Sequence, residues 1–202
     1  MGLKFSYTLL TPVYDAIVAS PTAAIRKSSL QKLNSSNPQQ ILINGVGTGL
    51  DLPYLPPQHF YTATDLTPSM LEICKQRLST HNLQMQLETA DSMQLPFENE
   101  SFDTVVMHLI LAVVPDPELA MAEAVRVLKP GGKIIILDKF LKPGQLAPTR
   151  RLINAFMRHI ATRMDVVFED LLKQTDGLVL LNDEPALLRG WFRTIELQKI
   201  VK

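Results

Sequence analysis

The stretch Ile41-Leu42-Ile43-Asn44-Gly45-Val46-Gly47-Thr48-Gly49 is the part of the chain that decides the fold. Branched apolar residues, typical of a buried strand, run directly into three glycines that alternate with single residues. Glycine accepts positive φ angles, and its missing Cβ lets a ligand lie against the backbone. The pattern therefore predicts a strand-to-helix turn that supports a nucleoside-containing ligand.

Around this turn the chain alternates apolar runs with amphipathic segments, which is typical of an α/β fold with a mostly parallel sheet. Its 202 residues suit one domain. We expect strands at 40–45, 60–65, 84–89, 102–108, 133–138, 178–182 and 191–200, and helices at 6–18, 21–33, 68–80, 117–128, 148–162 and 166–173.

Asp65 ends the second predicted strand, twenty positions after Gly45. From this place a nucleotide-binding fold brings a carboxylate to the ribose hydroxyls. The alternative is that Asp65 only caps the next helix, but Thr67 and Pro68 already supply a cap and a first-turn residue. We therefore favour ribose binding.

The glycine spacing bears on the kind of cofactor. A dinucleotide fingerprint, Gly-x-Gly-x-x-Gly, opens a long helix that holds a pyrophosphate. Here the third glycine comes one residue early, and Pro53, Pro56 and Pro57 interrupt the expected helix. A cofactor without phosphate, such as S-adenosylmethionine (SAM), fits this turn better than NAD.

Asp91 and Ser92 follow the third predicted strand. A carboxylate beside free backbone N–H groups can read an adenine edge, but Asp and Ser are also common in surface turns. Their register with Gly45 and Asp65 favours the adenine interpretation.

Two longer motifs carry a family resemblance. Residues 95–108 (LPFENESFDTVVMH) and 127–133 (VLKPGGK) resemble the class I SAM-dependent methyltransferases, in the branch of the ubiquinone and menaquinone methyltransferases. The motif GVGTGLDLP at 45–53 resembles that of the small bacterial phosphatidylethanolamine N-methyltransferases. Val13-Tyr14-Asp15 upstream and the tail at 184–193 resemble the same enzymes. The resemblance spans nearly the whole chain.

This resemblance implies a Rossmann-like class I methyltransferase fold, with a seven-stranded, mostly parallel sheet, helices on both faces and an N-terminal helical lid. It implies one domain at 1–202, with the lid at 1–36, a SAM-binding half at 37–138, and an acceptor-side insertion with the C-terminal strands at 139–202. The cofactor would be SAM and the product S-adenosylhomocysteine (SAH). The cofactor-binding positions that it implies are Tyr14, Asn44, Gly45, Gly47, Gly49, Asp65, Leu66, Asp91, Ser92, Met93, His108 and Leu109.

Asn44 departs from the pattern of the family, which usually has Glu or Asp before the first glycine. An acid there helps to hold the positively charged end of SAM, whereas Asn offers only a neutral carbonyl. Since charge-assisted hydrogen bonds are roughly twice as strong as neutral ones, the substitution predicts weaker SAM binding or a non-catalytic relative.

Methyl transfer from a sulfonium needs alignment above all, and a base is needed only if the acceptor arrives protonated. His108 is the first candidate for that base because its pKa lies near working pH, and Tyr14 is the second. The alternatives are a hydrogen-bonded pocket wall for His108 and ordinary helix packing for Tyr14.

The segment 139–163 contains six Lys and Arg residues and no Asp or Glu, interleaved with apolar residues. Such a segment can hold a lipid phosphate or lie on an anionic bilayer, although a solvated basic face is a common alternative. The substrate-binding candidates are Arg150, Arg151 and Arg158, with Tyr7 assisting.

Composition excludes other classes. Twenty basic and twenty acidic residues balance, and no zinc pattern or basic tail indicates nucleic-acid binding. Cys74 is the single cysteine, so we predict no internal disulfide, and the histidines lack the spacing of metal ligands, so we predict no metal site. No apolar run reaches about 18 residues, so we expect neither a membrane-spanning helix nor a signal peptide. We expect a cytoplasmic location, with peripheral contact at the inner face of the membrane. The oligomeric state is left open.

Together these features predict a SAM-dependent enzyme that N-methylates phosphatidylethanolamine or a related aminolipid. The alternatives are a methyltransferase for a soluble small molecule, such as a quinone precursor, and a SAM-binding protein without turnover.

Overall fold

The computed structural model describes residues 20–33, 36–141 and 166–201. Seven strands form one sheet: β1 Gln40–Asn44, β2 Phe60–Asp65, β3 Gln84–Thr89, β4 Phe102–His108, β5 Leu128–Lys139, β6 Leu178–Leu187 and β7 Phe192–Lys199. The helices are α1 at 20–30, α2 Pro68–Leu78, α3 Pro117–Val127 and α4 Phe168–Gln174, with short 3₁₀ turns at Gln31–Leu33, Leu52–Tyr54 and Leu188–Gly190.

The strand order is β3-β2-β1-β4-β5-β7-β6. The first five strands in this order are mutually parallel, whereas β7 runs antiparallel to both β5 and β6. The chain starts in the middle, moves outward to β3 and returns to place β4 beside β1. This reversal creates a crevice at the carboxyl ends of β1 and β4, where open α/β sheets bind ligands.

Two apolar clusters fill the two faces of the sheet. One face buries Val105, Met107, Ile134 and Ile136 against residues of α3 and α4. The other buries Ile41, Ile43 and Val106 against α1 and α2. Because β1, β4 and β5 are covered on both faces, their sequences read as nearly continuous apolar runs.

The caps of the helices follow from their sequences. Pro117 opens α3, and the side chain of Asp116 accepts hydrogen bonds from the backbone N–H groups of Glu118 and Leu119, both at 3.0 Å. These bonds satisfy two of the four free donors at the start of a helix. Thr67 and Pro68 occupy the corresponding places at α2, but the Thr67 side chain makes no capping bond.

The fold class predicted from the sequence is confirmed, and all seven strands lie where they were expected. Two strand boundaries differ from the predicted ones by five residues, and the others by at most one. β5 begins at Leu128, not at 133, because Leu128 pairs with Phe102 before a register shift. β6 continues to Leu187, not to 182, because Asp183, Glu184 and Pro185 pair with β7.

The helices predicted at 6–18 and 148–162 lie outside the described residues, as does most of the predicted lid at 1–36. Within the described ranges, no helix is long and apolar enough to cross a membrane.

Candidate active site

The glycine turn after β1 has the backbone geometry that its sequence predicts. Gly45, Gly47 and Gly49 have φ angles of 83°, 56° and 84°. A Cβ on Gly45 would lie 2.7 Å from Ile110 Cδ1, and one on Gly49 would lie 2.8 Å from Leu52 Cδ1. A Cβ on Gly47 would meet nothing within 4 Å. The outer two glycines are thus required by packing, whereas Gly47 borders open space that a ligand can enter.

Asp65 holds this turn in place. Its Oδ2 accepts a hydrogen bond from Gly47 N at 2.9 Å and its Oδ1 accepts one from Thr67 N at 2.9 Å. Burial raises the pKa of Asp65, and these backbone donors oppose that rise. Since each carboxylate oxygen can accept more than one hydrogen bond, both oxygens keep capacity for vicinal hydroxyls.

Asn44, at the end of β1, is fully buried. Its Oδ1 accepts a hydrogen bond from Ser92 Oγ at 2.8 Å and a longer one from Thr64 Oγ1 at 3.5 Å, whereas its Nδ2 has no hydrogen-bond partner. A buried donor without a partner is costly. The structure thus leaves a donor, and not the carbonyl expected from the sequence, for a ligand.

The turns after β2 and β3 lie beside each other. Ala90 N donates to Asp65 O at 3.2 Å, and Asp91 Oδ1 accepts from Met93 N at 2.9 Å. Leu66, directly after Asp65, is 42% exposed. An exposed apolar side chain between a ribose-binding carboxylate and a polar turn suits the face of an adenine ring.

These observations test the fit of SAM to the residues present. Four features lie at the ends of β1 and β2: the open space at Gly47, the free donor on Asn44, the carboxylate of Asp65 and the apolar Leu66. They match a ligand with a polar amino-acid end, a ribose and a flat base. On the other side of the glycine turn, Arg77 donates to the carbonyl and hydroxyl of Thr48 at 3.0 and 2.9 Å.

His108 lies in a buried polar network. Its two ring nitrogens lie 3.0 Å from Ser29 Oγ and 3.0 Å from Asp51 Oδ1. Asp51 Oδ1 also accepts from Arg26 Nη1 at 2.8 Å. Burial alone would raise the pKa of Asp51, but His108 and Arg26 hold it well below its usual range.

This network links α1 to the turn after β1 and to the end of β4. Both ring nitrogens of His108 lie within hydrogen-bond distance of protein groups. Its assignment as a base stays a prediction. Arg26 and Asp51 were missed by the sequence analysis because α1 and the glycine turn carry no motif that pairs them.

Two further features lie at the neighbouring ends of β4 and β5. Leu109 has a φ angle of 57°, and Asp138, at the end of β5, is completely buried. The sequence analysis named Leu109 but not Asp138, since an acid in an apolar run at a strand end carries no distinctive spacing.

Five sequence-predicted site residues lie outside the described part of the chain: Tyr7, Tyr14, Arg150, Arg151 and Arg158. Among the described residues, no group of three or more His, Cys, Asp or Glu side chains is placed to hold a metal ion.

The fold and this site define a class, the SAM-dependent methyltransferases with the class I fold, and comparison with known proteins agrees. Residues 42–136 match the family model described as a methyltransferase domain. A structure from Thermotoga maritima described as a SAM-dependent methyltransferase superposes with a TM-score of 0.70, over 96% of this chain and 99% of that chain, at 20% identity.

Two curated relatives narrow the comparison. A phosphatidylethanolamine N-methyltransferase from Cereibacter sphaeroides is 29% identical over 190 residues, which make up 93% of each chain. A demethylmenaquinone methyltransferase from Deinococcus radiodurans is 28% identical over 139 residues, or 65% of this chain and 58% of that enzyme. The chain is a SAM-dependent methyltransferase.

Proposed function

We propose that the protein transfers a methyl group from SAM to the amine of phosphatidylethanolamine or a related aminolipid. The observation that carries this proposal is the similarity to the Cereibacter sphaeroides enzyme, which extends over 93% of both chains. The similarity to the Deinococcus radiodurans enzyme covers a smaller part of both chains.

In this proposal SAM supplies a methyl group on a sulfonium centre, and the chain supplies binding and alignment. Asp65 accepts hydrogen bonds from the ribose hydroxyls while it holds Gly47. Gly47 leaves room for the amino-acid end of the cofactor, and Asn44 Nδ2 donates to it. Leu66 and Met93 pack beside the adenine, whose edge is read by the turn at Asp91 and Ser92.

The residues of the acceptor side are proposed from the family resemblance. His108, Leu109 and Tyr14 are proposed to line the reacting centre, with His108 or Tyr14 as the proton acceptor where the amine arrives protonated. Arg150, Arg151 and Arg158 are proposed to hold the lipid phosphate and to contact an anionic membrane, with Tyr7 assisting. We retain the division into a lid at 1–36, a SAM-binding half at 37–138 and an acceptor side at 139–202.

The test is transfer of labelled methyl from SAM into lipid. Purified protein is mixed with vesicles of phosphatidylethanolamine and phosphatidylglycerol, or of phosphatidylcholine and phosphatidylglycerol, and label is counted after organic partition. We expect label only with phosphatidylethanolamine, and its loss in Asp65→Ala. Asp116→Ala removes the cap of α3 but no hydrogen bond of Asp65 or of the glycine turn, and it controls for lost stability.

A second candidate is methylation of a soluble small molecule, such as a quinone precursor, which the Deinococcus radiodurans similarity favours. It predicts label in a demethylated quinone-type acceptor without vesicles and none in phosphatidylethanolamine. That result, with SAH still bound, would overturn the lipid proposal.

A further inference from the structure

The turn after β4 combines two unfavourable features within one small region. Leu109 adopts a φ angle of 57°, a left-handed conformation that disfavours residues with a Cβ. Next to it, Asp138 places a carboxylate where it has no exposure to solvent, and ionised groups are disfavoured in such places. Neither feature is required by the strands themselves, because β4 and β5 keep one register from the pair Thr104–Lys133 to the pair His108–Leu137.

The carboxylate of Asp138 ties this turn to β5. Its Oδ2 accepts a hydrogen bond from Ala112 N at 3.2 Å, Leu111 N also donates to the carboxylate, and Oδ1 accepts from Lys139 N at 2.8 Å. Leu109 N donates to Leu137 O at 2.7 Å. Leu109 is thus fixed directly by the backbone of Leu137, and the residues that follow Leu109 are fixed by the side chain of Asp138.

The turn after β4 also contacts the glycine turn after β1. Val113 N and Val114 N donate to Ile110 O at 3.0 and 3.1 Å, which closes the turn around Ile110. The side chain of Ile110 lies so close to Gly45 that any Cβ on that glycine would collide with it. The position of Ile110 therefore sets one boundary of the cofactor turn.

We propose that Asp138 is a positioning residue: its carboxylate holds residues 109–112 in the left-handed turn that seats Ile110 against Gly45 and thereby fixes the glycine turn for the cofactor. This inference rests on the proposed placement of SAM at that turn. It assigns to Asp138 no contact with the cofactor or the acceptor.

The unfavourable conformation of Leu109 and the buried carboxylate of Asp138 are typical of a functional site. Burial raises the pKa of Asp138 to about 6, which its backbone donors and Lys139 only partly oppose. Opposite Asp138 on β7, Arg193 is engaged by Asp183 and Glu169. Unfavourable backbone angles and perturbed carboxyl groups cluster at functional sites, where the surrounding structure holds them in place.

The test compares stability and SAH affinity in three variants. Asp138→Asn has nearly the same shape, but one oxygen becomes an NH₂ group that faces backbone donors. Leu109→Gly removes the conformational cost, and Leu109→Ala is its matched control, because it removes the same side chain but keeps the Cβ. Thermal unfolding at pH 7.5, SAH binding by calorimetry and methyl transfer to phosphatidylethanolamine vesicles are measured on each full chain.

We expect Leu109→Gly to melt at a higher temperature than Leu109→Ala and to bind SAH more tightly than that variant, because glycine favours the left-handed conformation that seats Ile110 against Gly45. We expect Asp138→Asn to melt at or above the temperature of the wild type and to lose on the order of 10- to 100-fold in SAH affinity and kcat/KM, the loss typical of small misplacements at a reacting site. A purely structural role would lower stability and affinity together.

The two possible failures are distinguishable. If the wild type does not bind SAH, the proposed cofactor placement is wrong. If the wild type binds SAH and Asp138→Asn binds it as tightly, the positioning role is overturned. If Asp138→Asn does not fold, the comparison of Leu109→Gly with Leu109→Ala decides alone, and equal SAH affinity in these two variants overturns the inference.

Discussion

At the scale of single residues, the site depends on backbone conformations that only glycine accepts easily. Gly47 differs from its neighbours because its Cα faces open space and not a packed side chain. Gly177 offers a matched comparison, since it has a φ angle of 81°, also meets nothing within 4 Å, and lies at the opposite end of the sheet, before β6. An alanine at either position carries the same conformational cost but only one would obstruct the site.

We therefore expect Gly47→Ala and Gly177→Ala each to lower the free energy of unfolding by about 1 kcal/mol. Only Gly47→Ala should weaken SAH binding, because its methyl group would occupy space meant for the ligand. Chemical denaturation and calorimetric titration of both variants check this. Equal SAH affinities in the two variants would show that the ligand does not approach Gly47.

Asn44 gives the second prediction at this scale. Its Oδ1 is already engaged by Ser92, so the group left for a ligand is the donor Nδ2. Asn44→Asp would replace this donor with an acceptor and bury a charge with only hydroxyl donors. We expect SAH affinity to fall about tenfold and the free energy of unfolding at pH 7 to fall by about 1–3 kcal/mol, with the stability recovering toward pH 5 as the new carboxyl group is protonated.

The motif of the family leads to the opposite expectation for Asn44→Asp, since an acid is usual there. Tighter SAH binding in the variant would mean that the positive end of the cofactor, and not an acceptor group, faces β1. The sequence identified the position but not which atom of Asn44 is free, because that depends on Ser92, 48 residues away.

Asp138 gives a prediction about pH. Because its pKa rises from 3.8 to about 6 on folding, the folded chain binds the proton more tightly than the unfolded chain. The stabilisation from protonated Asp138 is therefore complete below about pH 4 and lost as the pH rises through 6, a change of about 3 kcal/mol. Asp138→Asn lacks this change.

Consequently the stability of Asp138→Asn relative to the wild type should rise by about 2 kcal/mol between pH 4 and pH 7. Denaturant unfolding at four or five pH values measures this difference, and other titrating groups cancel in the comparison. A difference that is constant with pH would mean that Asp138 is ionised in the folded chain down to its ordinary pKa.

At the scale of elements, strand positions were predictable and polar networks were not. Apolar runs flanked by Gly, Pro and Asp located all seven strands. The start of β5 was missed because Lys129-Pro130-Gly131-Gly132 reads as a turn, although pairing with Phe102 extends the strand through it. The network that fixes α1 joins residues 25 and 57 positions apart, which no local pattern reveals.

Helix α1 is fixed to the sheet by a buried ion pair. Arg26 and Asp51 are 6% and 3% exposed, and Asp51 is the only carboxylate to which Arg26 is bonded in the described structure. Arg26→Met keeps most of the side-chain volume but leaves the buried Asp51 carboxylate bonded to His108 without the guanidinium. Since removing one partner of a buried pair typically costs about 3–5 kcal/mol, we expect a large loss of stability.

Hydrogen exchange gives the local part of this prediction. The amides of residues 20–30 should exchange faster in Arg26→Met than in the wild type, whereas those of β2 and β3 should change less. Lys27→Met is the matched control, because Lys27 is the next residue along the helix and is exposed. Uniformly faster exchange over the whole sheet would mean that the ion pair supports the global fold and not the attachment of α1.

At the scale of the whole molecule, the strand order brings the ends of β1, β2 and β4 to one edge, although their residues are up to 64 positions apart in sequence. The glycine turn, Asp65 and His108 were predicted separately and lie along this edge because parallel strands end together. The acceptor side was less predictable, since its basic segment has no fixed spacing, and Arg150, Arg151 and Arg158 lie outside the described residues.

A ligand that contacts the turns after β1, β2 and β3 links three elements of one cooperative sheet, and so it should stabilise the whole fold. At a free SAH concentration one hundred times its Kd, the free energy of unfolding should rise by about 2.7 kcal/mol. NAD at the same concentration should leave it unchanged, because the turn has a glycine spacing and prolines that do not suit a pyrophosphate. Thermal unfolding with each ligand checks this, and Asp65→Ala should lose the response to SAH. Stabilisation by NAD without stabilisation by SAH would contradict the placement of a phosphate-free cofactor on Gly47 and Asp65, whatever the methyl acceptor is.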